Sequence, residues 1–236
     1  MVGTTNDGGM RLASGVTGFD ELVSGGLIED RLYVISGPPG SGKTTFCTQF
    51  ITEGARNGER CLYVTMHETA EELSTDMAGY DFGFDRALNS DAITFLNLVT
   101  EEGKRTITQH GTDGGLTNRL VSFIEGNEMD RVVIDSTMLL QHFMNDVGDE
   151  ITGFLSALKQ TEATTLLISE MTDPSSYSDE HYLAHGVVFF HNFLEGGSMT
   201  RGVQVIKMRG TAIDCDIRKI EFTDHGLNVI DEKVQT

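Results

Sequence analysis

With 236 residues and a 39% hydrophobic composition, the chain is long enough for one substantial α/β core or two very small ones. Its formal net charge is −19 and six of its 17 basic residues are lysine, so its surface repels phosphate backbones, which argues against sequence-independent binding of nucleic acid or anionic membranes. No apolar run reaches the length of about eighteen residues that a membrane span needs, and three widely spaced cysteines without a C-x-x-C pair read as buried free thiols in a reducing cytoplasm.

Residues 1–10 are polar and Gly-rich, the makeup of a flexible tail, and carry no apolar leader segment. Between Arg11 and Leu27 come a Gly-Val-Thr-Gly turn, a short amphipathic piece from Phe19 to Val23, and Gly25-Gly26. Leu32 to Ile35 is an apolar, β-prone run that stops at Gly37. A loop of Gly and Pro then opens a helix from Lys43 to about Asn57, which Gly58 stops. Arg60 to Met66 is a strand of the type buried in parallel sheets, ending at His67-Glu68-Thr69. The helical spacing of Leu73, Met77 and Tyr80 follows, then a strand from Ala92 to Val99. A polar segment, Thr100 to Gly115, precedes an amphipathic helix through Leu116, Leu120, Phe123 and Ile124.

Arg131 to Asp135 is a short strand terminating in a carboxylate. Glu150 to Lys159 reads as another helix and Thr164 to Ser169 as another buried strand. Such alternation predicts an α/β fold with a mostly parallel sheet and helices on both faces. After Pro174 the rhythm changes. Ser175 to Glu180 reads as a polar loop, and Val187 to Leu194 with Val203 to Met208 as a hairpin turning at Glu195-Gly196-Gly197. Ile217 to Phe222 and Leu227 to Ile230 form a second hairpin. No linker divides the chain, so one domain over 11–236 with a β-hairpin-rich C-terminal edge is expected. Its excess of Asp and Glu over Lys also suits a protein kept soluble in concentrated salt.

Gly37, Gly42, Lys43 and Thr44 complete the pattern G-x-x-x-x-G-K-[ST] between a strand and a helix, which is the phosphate-binding loop. Its backbone N–H groups curl towards anionic oxygens, and the helix N-terminus adds partial positive charge. Pro38 and Pro39 lack an N–H, so Gly40, Ser41, Gly42, Lys43, Thr44 and Thr45 are the expected phosphate contacts. Lys43 would reach the β- and γ-phosphates of ATP and the Thr44 hydroxyl would ligate Mg2+. Asp135, closing R-V-V-I-D-S, has the place of the Walker B carboxylate in the Mg2+ shell. Glu68, just beyond an apolar strand, is the candidate for orienting an attacking water, with His67 beside it. Lys207-Met208-Arg209 sets two cations on one face of a strand, where they face solvent or cross an interface to a neighbour's γ-phosphate.

Taken in order, G-V-T-G-F-D-E-L…G-G-L, G-P-P-G-S-G-K-T-T, L-Y-V-T-M-H-E-T, R-V-V-I-D-S, L-E-G, K-M-R-G-T and the final D-H-G-L resemble the KaiC-like branch of the RecA superfamily, in a single-domain form of archaeal, halophilic type. The resemblance runs from Arg11 to Ile230 and implies a RecA-type P-loop core that assembles into rings, typically hexamers, with ATP at subunit interfaces. It further implies that Lys207, Met208, Arg209 and Thr211 of one subunit contact nucleotide held by the next. Members that hydrolyse ATP usually show two adjacent glutamates after the second strand. Here His67 takes the first place, which implies slow or conditional turnover. The clock member of the family phosphorylates itself at a Ser-Thr pair that corresponds to His181 and Tyr182 here, so autokinase activity is not expected. His185 replaces an acidic residue common at that position.

The expected function is a slowly hydrolysing regulatory ATPase that signals to a protein partner through nucleotide-dependent assembly. Two alternatives stay open. One is a recombination-mediator ATPase acting on DNA, which the net charge disfavours. The other is a non-hydrolysing ATP-sensing subunit of a larger machine, such as the archaellum motor.

Overall fold

The computed structural model describes residues 9–109, 115–137, 147–171 and 173–234. The strands are β1 (Arg11–Leu12), β2 (Leu27–Ile28), β3 (Leu32–Gly37), β4 (Cys61–Thr65), β5 (Ile93–Asn97), β6 (Arg131–Asp135), β7 (Thr164–Glu170), β8 (Gly186–Glu195), β9 (Ser198–Met208), β10 (Arg218–Thr223) and β11 (Gly226–Lys233). The helices are α1 (Phe19–Leu22), α2 (Lys43–Arg56), α3 (Ala70–Met77), α4 (Phe84–Leu88), α5 (Glu101–Gln109), α6 (Leu116–Gly126), α7 (Val147–Leu158) and α8 (Asp179–Leu183). Among the described residues, nine strands form one sheet in the order β11-β10-β9-β8-β3-β7-β6-β4-β5. The six strands from β8 to β5 run parallel, and β9, β10 and β11 extend the sheet antiparallel as hairpins. This is the expected α/β architecture, with β3 in the interior.

The period of two along β3 sorts its side chains between two cores. Tyr33 and Ile35 join Phe46, Phe50 and Phe190 beneath α2, while Leu32 and Val34 join Phe123, Phe154 and Leu155 beneath α6 and α7. Phe46 meets Phe19 and Phe190 edge-on, at ring-centroid distances of 4.8 and 5.6 Å. Burying a side chain of this size contributes about 1.5–3 kcal/mol. That packing holds the first turn of α2 against the C-terminal end of β3, where the loop lies.

Several expectations change. Part of the polar segment from Thr100 folds as α5, whose Ile107 is buried against the sheet. The polar loop ends early, because Asp179 begins α8. β9 starts at Ser198 rather than Val203 and stops at Met208, so Arg209 lies just past the strand that was expected to carry both cations. Cys47 and Cys61 are buried, whereas Cys215 is exposed in a polar turn. Residues 1–8 of the expected tail lie outside the described residues. No helix among the described residues is long and apolar enough to cross a membrane.

Candidate nucleotide site

β3 ends at Gly37 with φ 147°, and a Cβ there would sit 2.5 Å from the Phe190 carbonyl oxygen. At Gly42, which precedes α2 with φ 109°, a Cβ would lie 2.8 Å from the Phe222 ring. Both positions therefore need glycine, for backbone angle and for space. The loop is gripped from its carbonyl side by the β8–β9 hairpin. Asn192 Nδ2 donates to Pro39 O at 3.2 Å and Arg201 Nε to Gly40 O at 3.0 Å, with the Arg201 guanidinium over the Phe222 ring.

The Lys43 ammonium is buried and donates to Gly37 O at 2.8 Å and Pro38 O at 2.9 Å. Burial lowers its pKa, while the carboxylates of Glu170 and Asp135 act against that shift. Thr44 Oγ1 lies 3.5 Å from Asp135 Oδ2, which also accepts a hydrogen bond from the Tyr63 hydroxyl at 3.0 Å. Desolvation raises the Asp135 pKa above its usual value, only partly offset by Tyr63 and by the charges of His67 and Lys43. Glu68, half-buried beyond β4, is raised by burial and then by the negative charges of Asp135, Asp76 and Glu72. Asn97 Nδ2 fixes its backbone by donating to Glu68 O at 2.8 Å.

Two features test the fit of a bound magnesium nucleotide. Ser41 Oγ is fully buried in the loop with no hydrogen-bond partner among the described residues, an orphan that an anionic oxygen would satisfy. Thr44 and Asp135 offer the hard oxygen ligands that Mg2+ selects, beside a helix N-terminus suited to phosphate. The chemistry of the residues fits the group.

Excess protonation in the folded chain costs stability as pH rises. A carboxyl with a folded pKa above 3.8 is harder to ionise in the fold than in the unfolded chain, so its penalty grows from about that pH upward. Asp135→Asn is therefore expected to melt higher than the parent at neutral pH, by about 2–4 °C for each kcal/mol relieved. The gain should shrink as pH falls towards 4, and Mg2+-dependent nucleotide binding should disappear. Thermal melts across pH check this, and a variant that melts lower at pH 7 contradicts it.

Lys207 and Arg209 lie elsewhere. Ser36 pairs with Phe189 and Tyr33 with Gly186, while Gly186 pairs with Met208 and Val187 with Lys207. Arg209 N donates to His185 O, and His185 N to Leu32 O, so Arg209 stands at the far end of β3 from the loop. At about 3.3 Å per residue, the five steps from Leu32 to Gly37 separate them by roughly 16 Å. Lys207 Nζ donates to His181 O and Tyr182 O at 3.0 and 2.9 Å, and Arg209 Nη2 to Tyr182 O at 3.3 Å. α8 sits on the face opposite α2, since Leu183 and Ala184 pack with the α6–α7 core. The Met208 side chain is buried in the core that α2 shares, which takes it away from any ligand. Thr211 Oγ1 accepts from Arg11 Nη2 at 3.3 Å.

The structure thus gathers Lys43, Thr44, Glu68 and Asp135 at one end of the sheet and places Arg209 and Thr211 at the other, with Lys207 level with Val34 midway along β3. Tyr63, Asn192 and Arg201 went unread in the sequence. Tyr63 carried a signal, since a tyrosine inside a buried strand needs a partner for its hydroxyl. Asn192 and Arg201 meet the loop only through the pairing of β8 with β3, which no local pattern reveals. The exposed His67 lies beside the site, and its backbone N–H donates to Thr65 Oγ1 at 3.1 Å.

The family model "ATPase: KaiC" matches residues 12–234. The circadian clock protein KaiC3 of Synechocystis is 30% identical over 230 residues, covering 94% of this chain and 45% of that protein. The circadian clock oscillator protein KaiC of Synechococcus elongatus is 29% identical over 224 residues, covering 91% of this chain and 43% of that protein. The chain therefore spans less than half the length of these curated relatives. A KaiC-like protein from the hyperthermophilic archaeon Pyrococcus horikoshii superposes with a TM-score of 0.80 at 26% identity, over 94% of this chain and 99% of that one.

Proposed function

The chain belongs to the KaiC family of ATPases, and from that premise we propose that it binds and slowly hydrolyses ATP at sites shared between subunits of a cytoplasmic, hexamer-type ring. One observation carries this reading. Arg209 stands at the far end of β3 from the phosphate loop and the Lys207 ammonium is turned to carbonyls of α8, so the two elements can share a site only through a head-to-tail neighbour. Lys43 and the loop amides hold the phosphates, and Thr44 and Asp135 hold Mg2+. That ion, when bound, neutralises charge on the transferring phosphoryl group. Glu68 orients a water, and its raised pKa, from burial and neighbouring carboxylates, suits a group that must also accept a proton. Lys207 and Arg209 stabilise the developing charge from the adjacent subunit. Nucleotide state then sets the assembly, which signals to a protein partner.

A sensor that binds ATP without hydrolysis is favoured by a single observation, His67 in the place of a second glutamate. The net charge of −19 disfavours action on DNA. Nucleotide binding and phosphate release by the parent, Lys43→Ala and Glu68→Gln decide between these readings. Lys43→Ala should lose ATP affinity, whereas Glu68→Gln should bind ATP normally and release phosphate about 10²–10⁴-fold more slowly. Undiminished binding by Lys43→Ala would remove the phosphate loop from the reading. No release by the parent would leave the sensor.

A further inference from the structure

A buried polar cluster beside the loop has no part in the chemistry above. Ser36, the residue before Gly37, and Ser169 pair across β3 and β7 and are both buried beneath α8. His181 Nε2 lies 2.7 Å from Ser36 Oγ, and Ser169 Oγ donates to Glu180 Oε1 at 2.9 Å. The Ser178 N–H donates to His181 Nδ1 at 3.2 Å, with Ser178 Oγ 2.8 Å from the same nitrogen. Nδ1 is thus the acceptor, which leaves the proton on Nε2 and makes His181 the donor to Ser36. Burial lowers the His181 pKa and favours this neutral form.

A helix of five residues cannot hold itself in place. An apolar plug would cover the sheet without the cost of burying an imidazole and a carboxylate. What the polar contacts add is one defined placement of α8 relative to Ser36. The backbone of α8 holds the two cations, because the His181 carbonyl accepts from Lys207 and the Tyr182 carbonyl from Lys207 and Arg209. Two successive contacts therefore join the strand that opens the phosphate loop to the groups offered to the next subunit.

The geometry points to His181 as a positioning residue that links a subunit's own phosphate loop to the Lys207 and Arg209 it presents to its neighbour. The link rests on the shared-site reading above. A change at Gly37 on nucleotide binding reaches Ser36, then the His181 ring, then the carbonyls that seat the two cations. Adjacent sites of the ring are coupled through α8, and hydrolysis is cooperative in ATP.

Two near-isosteric variants separate this role from simple packing. Glutamine at 181 places a donor where Nε2 lies and keeps the Ser36 contact, whereas asparagine places its polar atoms near Nδ1 and keeps the Ser178 contact. Phosphate release against ATP concentration is measured for the parent, His181→Gln, His181→Asn and Ser36→Ala, with melting temperatures and the affinity of each for a fluorescent ATP analogue. The expected result is cooperative hydrolysis in the parent and in His181→Gln. His181→Asn and Ser36→Ala should lose that cooperativity and about tenfold in turnover, with analogue affinity unchanged and His181→Asn melting where His181→Gln does. Equal kinetics for the asparagine and glutamine variants, or a non-cooperative parent, overturns the link while leaving the ATPase reading intact. A parent that binds no analogue overturns the ATPase reading, and the link with it.

Discussion

Arg209→Ala is expected to release phosphate about 10³-fold more slowly than the parent while binding ATP almost as tightly, the signature of a cation that acts on a neighbour's phosphoryl group. Its own loop loses nothing. Arg209 lies at the far end of β3 and its side chain reaches Tyr182 O, on the face away from α2. The guanidinium would instead stabilise charge that develops only in the transition state, so the rate should fall and the affinity should not. A mixing experiment adds the decisive arm. Subunits carrying Arg209→Ala retain an intact loop, and subunits carrying Lys43→Ala retain an intact Arg209. Equimolar mixtures should recover activity that neither has alone. An Arg209→Ala protein with parental turnover, or mixtures that stay inactive, would place the site within one subunit.

Arg131→Ala should destabilise the fold by about 3–5 kcal/mol, a large share of the roughly 5–15 kcal/mol that holds a domain together. Arg131 is fully buried at the start of β6. Its Nε lies 2.5 Å from Glu59 Oε2 and its Nη2 3.0 Å from Oε1, a bidentate pair. Nη1 donates at 2.9 Å to both Ala13 O and Phe50 O, and the guanidinium covers the Phe50 ring at 4.6 Å. One side chain thus fastens the segment just after β1, helix α2 and the start of β6 together. Truncation leaves two carbonyls and a carboxylate without their donor. Thermal and urea unfolding measure the loss. Arg131→Met paired with Glu59→Gln, which restores the stem packing and removes the stranded charge, should recover part of it. A melting temperature within a degree of the parent for Arg131→Ala would show that the contacts contribute little.

Where the chemistry is local, the sequence was readable. β3, the loop and α2 followed from an apolar run, a glycine stop and a Lys-Thr-Thr helix start, each acting on its immediate neighbours. β4, β6 and β7 followed from apolar runs of the length that a doubly covered strand needs. Elements set by distant partners were not legible. α5 is polar along most of its length and is held by Ile107 against the sheet. α8 is too short to show periodicity and depends on Ser36 and Ser169, more than a hundred residues and about ten residues away respectively in chain order. The candidate site divided in the same way. Lys43, Thr44 and Asp135 were visible in motifs, whereas Tyr63, Asn192 and Arg201 join them only through strand pairing. A cysteine's type predicts burial, but the polar neighbours in Asp214-Cys215-Asp216 place Cys215 outside the core.

β9 runs back against β8 and delivers its last residues to the opposite rim of the sheet. On the proposed shared site, that reversal makes catalysis a property of contact between molecules. The working unit is a seam, and an isolated chain carries two unmatched halves of it. Specific activity should then rise with protein concentration and plateau as seams close, so dilution alone would serve as an off switch. A partner protein that caps either rim would silence one seam without touching the nucleotide bound at the other.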